Sequence, residues 1–163
     1  MKYKEKVSVL FVCLGNICRS PTADGIFRGL VTRAGLDKRI EVDSAGTGAW
    51  HVGNPPDPRT QKAAEVRGYD LSMLRARQAI EADFHEFDLI LAMDHANYNE
   101  LMSLQPANSK ASLRLFLSYA PELGVQEVPD PYYGGDDGFE QVLDLVEAAG
   151  ENLLAELIKQ YKL

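Results

Sequence analysis

Runs of consecutive apolar residues alternate along this chain with segments whose apolar positions recur every three to four residues. Val7–Val12 is apolar except for Ser8, which predicts a strand covered on both faces. Pro21–Ala34 carries Ala23, Ile26, Phe27, Leu30, Val31 and Ala34 near one helical face, with Gly35 at its expected stop. Ile40–Ser44 reads as a second strand and Ala45–Pro58, rich in Gly, Pro and Asn, as a loop. Asp57-Pro58 opens a helix over Arg59–Gly68 that Gly68 closes. Phe87–Met93 reads as a strand, Ala96–Leu104 as a helix and Leu113–Leu117 as a fourth strand. After a long loop, Ala120–Gly138, comes an amphipathic helix over Phe139–Tyr161, with Phe139, Val142, Leu143, Val146, Leu153, Leu154, Leu157, Ile158 and Tyr161 at helical spacing. This alternation predicts an α/β fold in which a four-stranded parallel sheet has helices on both faces. In such sheets, ligands bind beyond the carboxyl ends of the strands.

Composition narrows the class. A length of 163 residues suits one domain, residues 1–163, with a sizeable core. The expected architecture is a three-layer, flavodoxin-like sandwich. The net charge of −7 argues against non-specific nucleic-acid binding and against a basic membrane-binding surface. It leaves room for an anionic substrate, because a local cradle can be positive on an acidic protein. No apolar run approaches membrane-spanning length. Cys13 and Cys18 are the only cysteines, too few for a disulfide framework, so a reducing cytoplasm is the expected compartment. They lack structural-zinc spacing, and His51, His85 and His95 are scattered. No metal and no cofactor is expected, and the histidines read as surface or partly buried residues.

The candidate chemistry sits directly after the first strand. In Cys13-Leu14-Gly15-Asn16-Ile17-Cys18-Arg19-Ser20-Pro21, Gly15 and Asn16 both tolerate positive φ and permit a tight loop. Ser20 is a favoured helix N-cap and Pro21 a favoured first helical residue. The loop N–H groups and the helix N-terminus can then face one anion, and the Arg19 fork fits two phosphate oxygens. The same positive surroundings favour the thiolate form of Cys13.

These residues match the C-x5-R-[ST] signature of cysteine-dependent phosphatases. With Val128-Pro129-Asp130-Pro131-Tyr132-Tyr133-Gly134-Gly135 far downstream, and with Asp43-Ser44-Ala45-Gly46-Thr47, Asp57-Pro58-Arg59, Ala76-Arg77-Gln78 and Met93-Asp94 between, the chain resembles the low-molecular-weight protein tyrosine phosphatase family from about Val7 to the C-terminal helix. The resemblance implies phosphomonoester hydrolysis through a cysteinyl-phosphate. Cys13 is then the nucleophile, Arg19 binds the transition state, and Asp130 is the general acid and later base. Leu14, Gly15, Asn16, Ile17, Cys18 and Ser20 form the phosphate cradle. Tyr132, Tyr133 and Trp50 are candidate walls of a slot deep enough to select phosphotyrosine over the shorter phosphoserine. Asn16 and Ser44 are expected to hold the loop's backbone. Many relatives carry a histidine three residues before the A-R-Q arginine; Leu74 stands there, so the loop is either supported differently or looser. Cys18 fills space or, as the resemblance implies, pairs reversibly with Cys13 under oxidation.

Other readings compete. Cys13 alone would be an ordinary core cysteine and Asp130 an ordinary turn residue; Arg19 and Ser20 in the first case, and the D-P-Y-Y-G context in the second, favour catalysis. Asp57 reads as a helix cap, and Arg77 and Asp94 as structural ion-pair residues. Thiol arsenate reductases resemble this fold but need further downstream cysteines. Protein arginine phosphatases tend to carry threonine at the position of Ile17, which here suits the ring of phosphotyrosine. A non-catalytic phosphotyrosine-binding module would be expected to lack Cys13 or Asp130. The expected partners are phosphotyrosine-containing proteins, a tyrosine kinase among them, with no nucleic acid, no membrane, and a monomeric chain.

Overall fold

The computed structural model describes residues 4–133 and 135–163, with the side chains of all of these but Tyr133 and Asp136. Four strands, β1 (Val7–Cys13), β2 (Ile40–Gly46), β3 (Leu89–Ala92) and β4 (Ser112–Leu115), form a sheet in the order β2-β1-β3-β4. All three pairings are parallel. Parallel neighbours need crossovers, and helices supply them: α1 (Arg19–Arg33), α2 (Pro58–Val66), α3 (Asp83–Glu86) and α4 (His95–Leu104), with α5 (Asp136–Tyr161) closing the chain.

β1 is buried at every residue, and its alternation divides the core. Val7, Val9, Phe11 and Cys13 face a cluster that takes Ile26 and Phe27 from α1 and Val142, Val146 and Leu153 from α5. Leu10 and Val12 face a second cluster with Phe84 of α3 and Leu101 of α4. A strand sandwiched this way has no polar face, which is why it reads as a continuous apolar run. Phe11 anchors the first cluster, edge-on to Phe27 at 5.7 Å and to Phe116 at 5.0 Å. The chain leaves β1 for β2 on one side and reaches β3 on the other, so the strand order reverses beside β1. Ligand crevices form at such a switch point, and Cys13 is the last residue of β1.

The sequence-based elements shift in instructive places. α1 begins at Arg19, with Cys18 as its N-cap and no side-chain capping bond. Ser20 was expected as the cap, but its hydroxyl is turned to Cys13 and Asn16 instead. Asn16 alone of the expected pair uses positive φ, at 57°. β2 runs on through Ala45 and Gly46, because they pair with Val12 and Cys13. The fourth strand ends at Leu115, and Phe116–Tyr119 is a 3-10 turn. Phe116 and Leu117 are consecutive and both buried, which an alternating edge strand does not achieve but a helical turn does. The expected loop after Ala120 contains two more 3-10 turns, Pro121–Leu123 and Pro131–Tyr133, and α5 starts at Asp136. The short α3 was not anticipated. Gly35 stops α1 as expected, at φ 71°.

Candidate active site

Cys13 lies 3% exposed at the carboxyl end of β1. The loop that follows turns its carbonyls outward onto fixed donors. Thr47 N–H donates to the Cys13 carbonyl at 2.9 Å, Gly48 N–H to that of Leu14 at 2.9 Å, and Asp57 N–H to that of Ile17 at 2.9 Å. The Thr22 hydroxyl donates to the Cys18 carbonyl at 2.7 Å. With these carbonyls held outward, the Asn16 N–H turns in and donates to the Cys13 sulfur at 3.3 Å. β2 must pass close beneath this loop. A Cβ on Gly46 would stand 2.8 Å from the Leu14 carbonyl oxygen, too near for any side chain.

Asn16 ties the loop to its support. Its amide donates to Ser20 Oγ at 2.7 Å and to Ser44 Oγ at 3.1 Å. Its oxygen accepts the Arg77 backbone N–H at 3.0 Å. That backbone donor completes the amide's bonding without a histidine, while Leu74 packs against the core. Ser20 Oγ lies 3.1 Å from Cys13 Sγ, within hydrogen-bond reach.

Arg19 is 3% exposed. Its Nη1 donates to Asp94 Oδ2 at 2.6 Å and to the Val128 carbonyl at 3.0 Å. Its Nη2 lies 3.7 Å from Asp130 Oδ2. Burial alone would pull the guanidinium down, but Cys13, Asp94 and Asp130 together hold it above its ordinary value. Asp94 does double duty, because its other oxygen accepts the Asn97 N–H and caps α4. It was expected as a structural ion-pair residue; its partner is the cradle arginine. Arg77 pairs with Asp43 and Asp83. Asp57 caps α2, as expected.

Across the crevice, the Tyr132 N–H donates to Asp130 Oδ1 at 3.0 Å and fixes that carboxylate. The space between is a slot of about 370 Å³ lined by Cys13, Leu14, Gly15, Ile17, Cys18, Arg19, Trp50, His51, Asp130 and Tyr132. Trp50 is 73% exposed and lies over Gly48, where a Cβ would fall 1.8 Å from the ring. His51 joins the slot with its ring 6.5 Å from that of Tyr132. Sequence reasoning did not place it there; its only signal was its position next to Trp50. The Tyr133 side chain lies outside the described residues. Cys18, like Cys13, is a buried free thiol. Burial pushes it up to about 12, against a hydrogen bond with Thr60 that lowers it. Among the described residues no group of His, Cys, Asp and Glu is arranged to hold a metal ion.

Residues 8–163 match the family described as low molecular weight phosphotyrosine protein phosphatase. The chain belongs to this family. A low molecular weight protein-tyrosine-phosphatase of Streptomyces coelicolor is 48% identical over 155 residues, covering 93% of this chain and 94% of the relative. The crystal structure of YfkJ from Bacillus subtilis superposes with a TM-score of 0.90 at 43% identity, covering 96% of this chain and 98% of that one. A Drosophila arginine phosphatase of known structure, 35% identical, gives a TM-score of 0.84 with 91% of this chain and 96% of that one covered. The family's fold is thus shared by at least two substrate classes, and the slot's own residues must decide between them.

Proposed function

We propose that this chain, residues 1–163 acting as one domain, is a protein tyrosine phosphatase that works through a cysteinyl-phosphate. The observation that carries it is the Cys13 sulfur at the foot of an amide-lined loop, 3.1 Å from Ser20 Oγ, with Arg19 beside it and Asp130 across a slot. In the first step Cys13 Sγ attacks phosphorus in line, the P–O bond to the tyrosine breaks, and Asp130 gives its proton to the departing phenolate oxygen. Arg19 and the loop N–H groups hold the equatorial oxygens. In the second, water attacks phosphorus, its proton passes to Asp130, and the electron pair of the P–S bond returns to Sγ. The Pro129-Asp130-Pro131 sequence restricts the backbone that mounts the acid.

Ile17 in the wall favours a phenyl ring over a phosphoguanidinium, which sets tyrosine ahead of arginine. Leu14, Trp50 and Tyr132, all exposed, supply further apolar surface at the mouth. We read the substrates as phosphotyrosine-bearing proteins, a tyrosine kinase among them, and the enzyme as a cytoplasmic monomer. The two free thiols fit a reducing compartment. No helix among the described residues is long and apolar enough to cross a membrane. Single-turnover hydrolysis of a phosphotyrosine peptide beside a phosphoarginine peptide, by wild type and Cys13→Ser, tests the assignment. Fast phosphotyrosine turnover that vanishes in Cys13→Ser is expected. A preference for phosphoarginine would move the function to the sister activity, and tight peptide binding without turnover would leave a binding module.

A further inference from the structure

Arg59 does not line the slot, and the chemistry above does not use it. It follows Pro58 at the start of α2, with its side chain half exposed. Its guanidinium is nevertheless shared between the cap of α2, the turn after Asp130 and the first turn of α5. Nε donates to Asp57 Oδ1 at 3.1 Å and Nη2 to Asp57 Oδ2 at 3.0 Å. Nη2 also reaches the Tyr132 carbonyl at 3.3 Å. The cation lies 5.5 Å from the centre of the Tyr132 ring and 5.0 Å from that of Phe139. A plain surface ion pair with Asp57, worth little by itself, would leave out Tyr132 and Phe139.

These contacts form an unbroken path from the loop after β1 to Asp130. The Asp57 N–H donates to the Ile17 carbonyl at 2.9 Å, and Ile17 lines the slot. The Asp57 carboxylate holds the Arg59 fork, and the fork holds Tyr132. The Tyr132 N–H in turn donates to Asp130 Oδ1 at 3.0 Å. Upstream of Asp130 the chain is tied at Val128, whose N–H donates to the Met93 carbonyl and whose carbonyl accepts from Arg19. Arg59 ties it again on the downstream side. Asp130 stands between Pro129 and Pro131, so the backbone between the two ties has little freedom of its own. The places where it is tied therefore decide where the carboxyl stands. A lysine at this position can meet the charge of Asp57, but an ammonium lacks the planar fork that serves both carboxylate oxygens and the carbonyl together.

We propose that Arg59 is a positioning residue for the general acid: by holding Tyr132 against the Asp57 cap, it keeps the Asp130 carboxyl within reach of the departing phenolate oxygen. The proposal rests on the phosphatase reading. Its effect falls mainly on the first step, when the P–O bond breaks and the Asp130 proton passes to the leaving oxygen.

The test is the leaving-group dependence of kcat/KM for Arg59→Gln, read with aryl phosphates of graded phenol acidity. An exposed cation–aromatic contact and a hydrogen bond from a charged donor are together worth about three- to tenfold in rate. A loss of that size is expected for phenyl phosphate, whose phenolate needs the proton. For a nitrophenyl phosphate, whose phenolate leaves without it, the loss should be under about twofold. Inhibition by inorganic phosphate should stay within about twofold of wild type, because the cradle keeps its own bonds. An equal loss on both substrates, or no loss on either, would overturn the proposal. In an Asp130→Ala background, Arg59→Gln should cost nothing further on phenyl phosphate; a full additional loss would also overturn it. If Arg59→Gln does not fold, Arg59→Lys keeps the charge and removes the fork. It should show the same split between the two substrates, and an even loss would contradict the proposal. Wild type turning over a phosphotyrosine peptide, and Cys13→Ser failing to, is the control. If it fails, the phosphatase reading falls and not merely the role of Arg59.

Discussion

Arg19 shows how much one side chain can carry. It is buried, pinned by Asp94 and the Val128 carbonyl, and still has Nη2 within 3.7 Å of Asp130. A lysine cannot reproduce that fork, so Arg19→Lys should lower kcat/KM by roughly 10²–10³, measured with a phosphotyrosine peptide. Asp130→Ala should slow that peptide by about 10²–10⁴ yet change little for an aryl phosphate whose phenol leaves readily. An equal loss on both would deny Asp130 its role as acid. The two cysteines should differ in reactivity. Because burial pushes Cys18 up to about 12, it stays protonated across the neutral and mildly alkaline range. Iodoacetamide at pH 8, read by mass spectrometry, should mark Cys13 and spare Cys18; labelling of Cys18 in the folded protein would contradict this. Cys13, Arg19 and Asp130 stood out in the sequence because short motifs hold them in fixed local order. His51 did not. It meets Tyr132 from a distant part of the chain, and no local pattern marks such a meeting.

At the scale of elements, the cradle depends on what lies beneath and beside it. α2 contributes through its first turn. Asp57 caps the helix by accepting the Arg59 N–H at 2.8 Å, and its own N–H holds the Ile17 carbonyl. Arg59 in turn lies over the Tyr132 ring at 5.5 Å and donates to the Tyr132 carbonyl, so α2 touches both the loop after β1 and the turn that carries Asp130. Burial alone would raise the Asp57 carboxyl, but its bonds with Arg59 hold it below its ordinary value. A depressed carboxylate stabilises the fold fully above the unfolded value, about pH 3.9, and loses that contribution as pH falls through the folded value. Asp57→Ala should therefore cost about 1 kcal/mol near neutrality, and the gap to wild type in urea unfolding should close in acid. A gap that does not narrow as the pH falls would contradict the capping account. The main helices and strands were legible because periodicity and strand length mark them. The start of α1 was not, since Ser20 follows capping rules in sequence but turns its hydroxyl to Cys13 and Asn16. Nor was the end of β4, where the demand to bury both Phe116 and Leu117 overrode strand propensity.

Taken as a whole, the molecule places one strand at the centre and its chemistry at that strand's end. β1 binds β2 and β3, is buried throughout, and delivers Cys13 to the point where the strand order reverses. Phe11, two residues before Cys13, holds α1 and the turn after β4 through Phe27 and Phe116. Phe11→Ala should cost about 3–5 kcal/mol, a fall in Tm on the order of 10 °C for a chain of this length. A calorimetric shift of only a degree or two would show that the core is not organised around that ring. The parallel sheet itself was readable from the alternation of elements. The flavodoxin-like expectation is met in the order β2-β1-β3-β4. The central claim remains the covalent step at Cys13. Its most direct test is rapid-quench mass spectrometry of the wild-type enzyme mixed with a phosphotyrosine peptide. A phosphoryl group on the fragment bearing Cys13, appearing with the first turnover and absent from Cys13→Ser, is the expected result. A phosphoryl group on another residue, or turnover that survives Cys13→Ser, would contradict it.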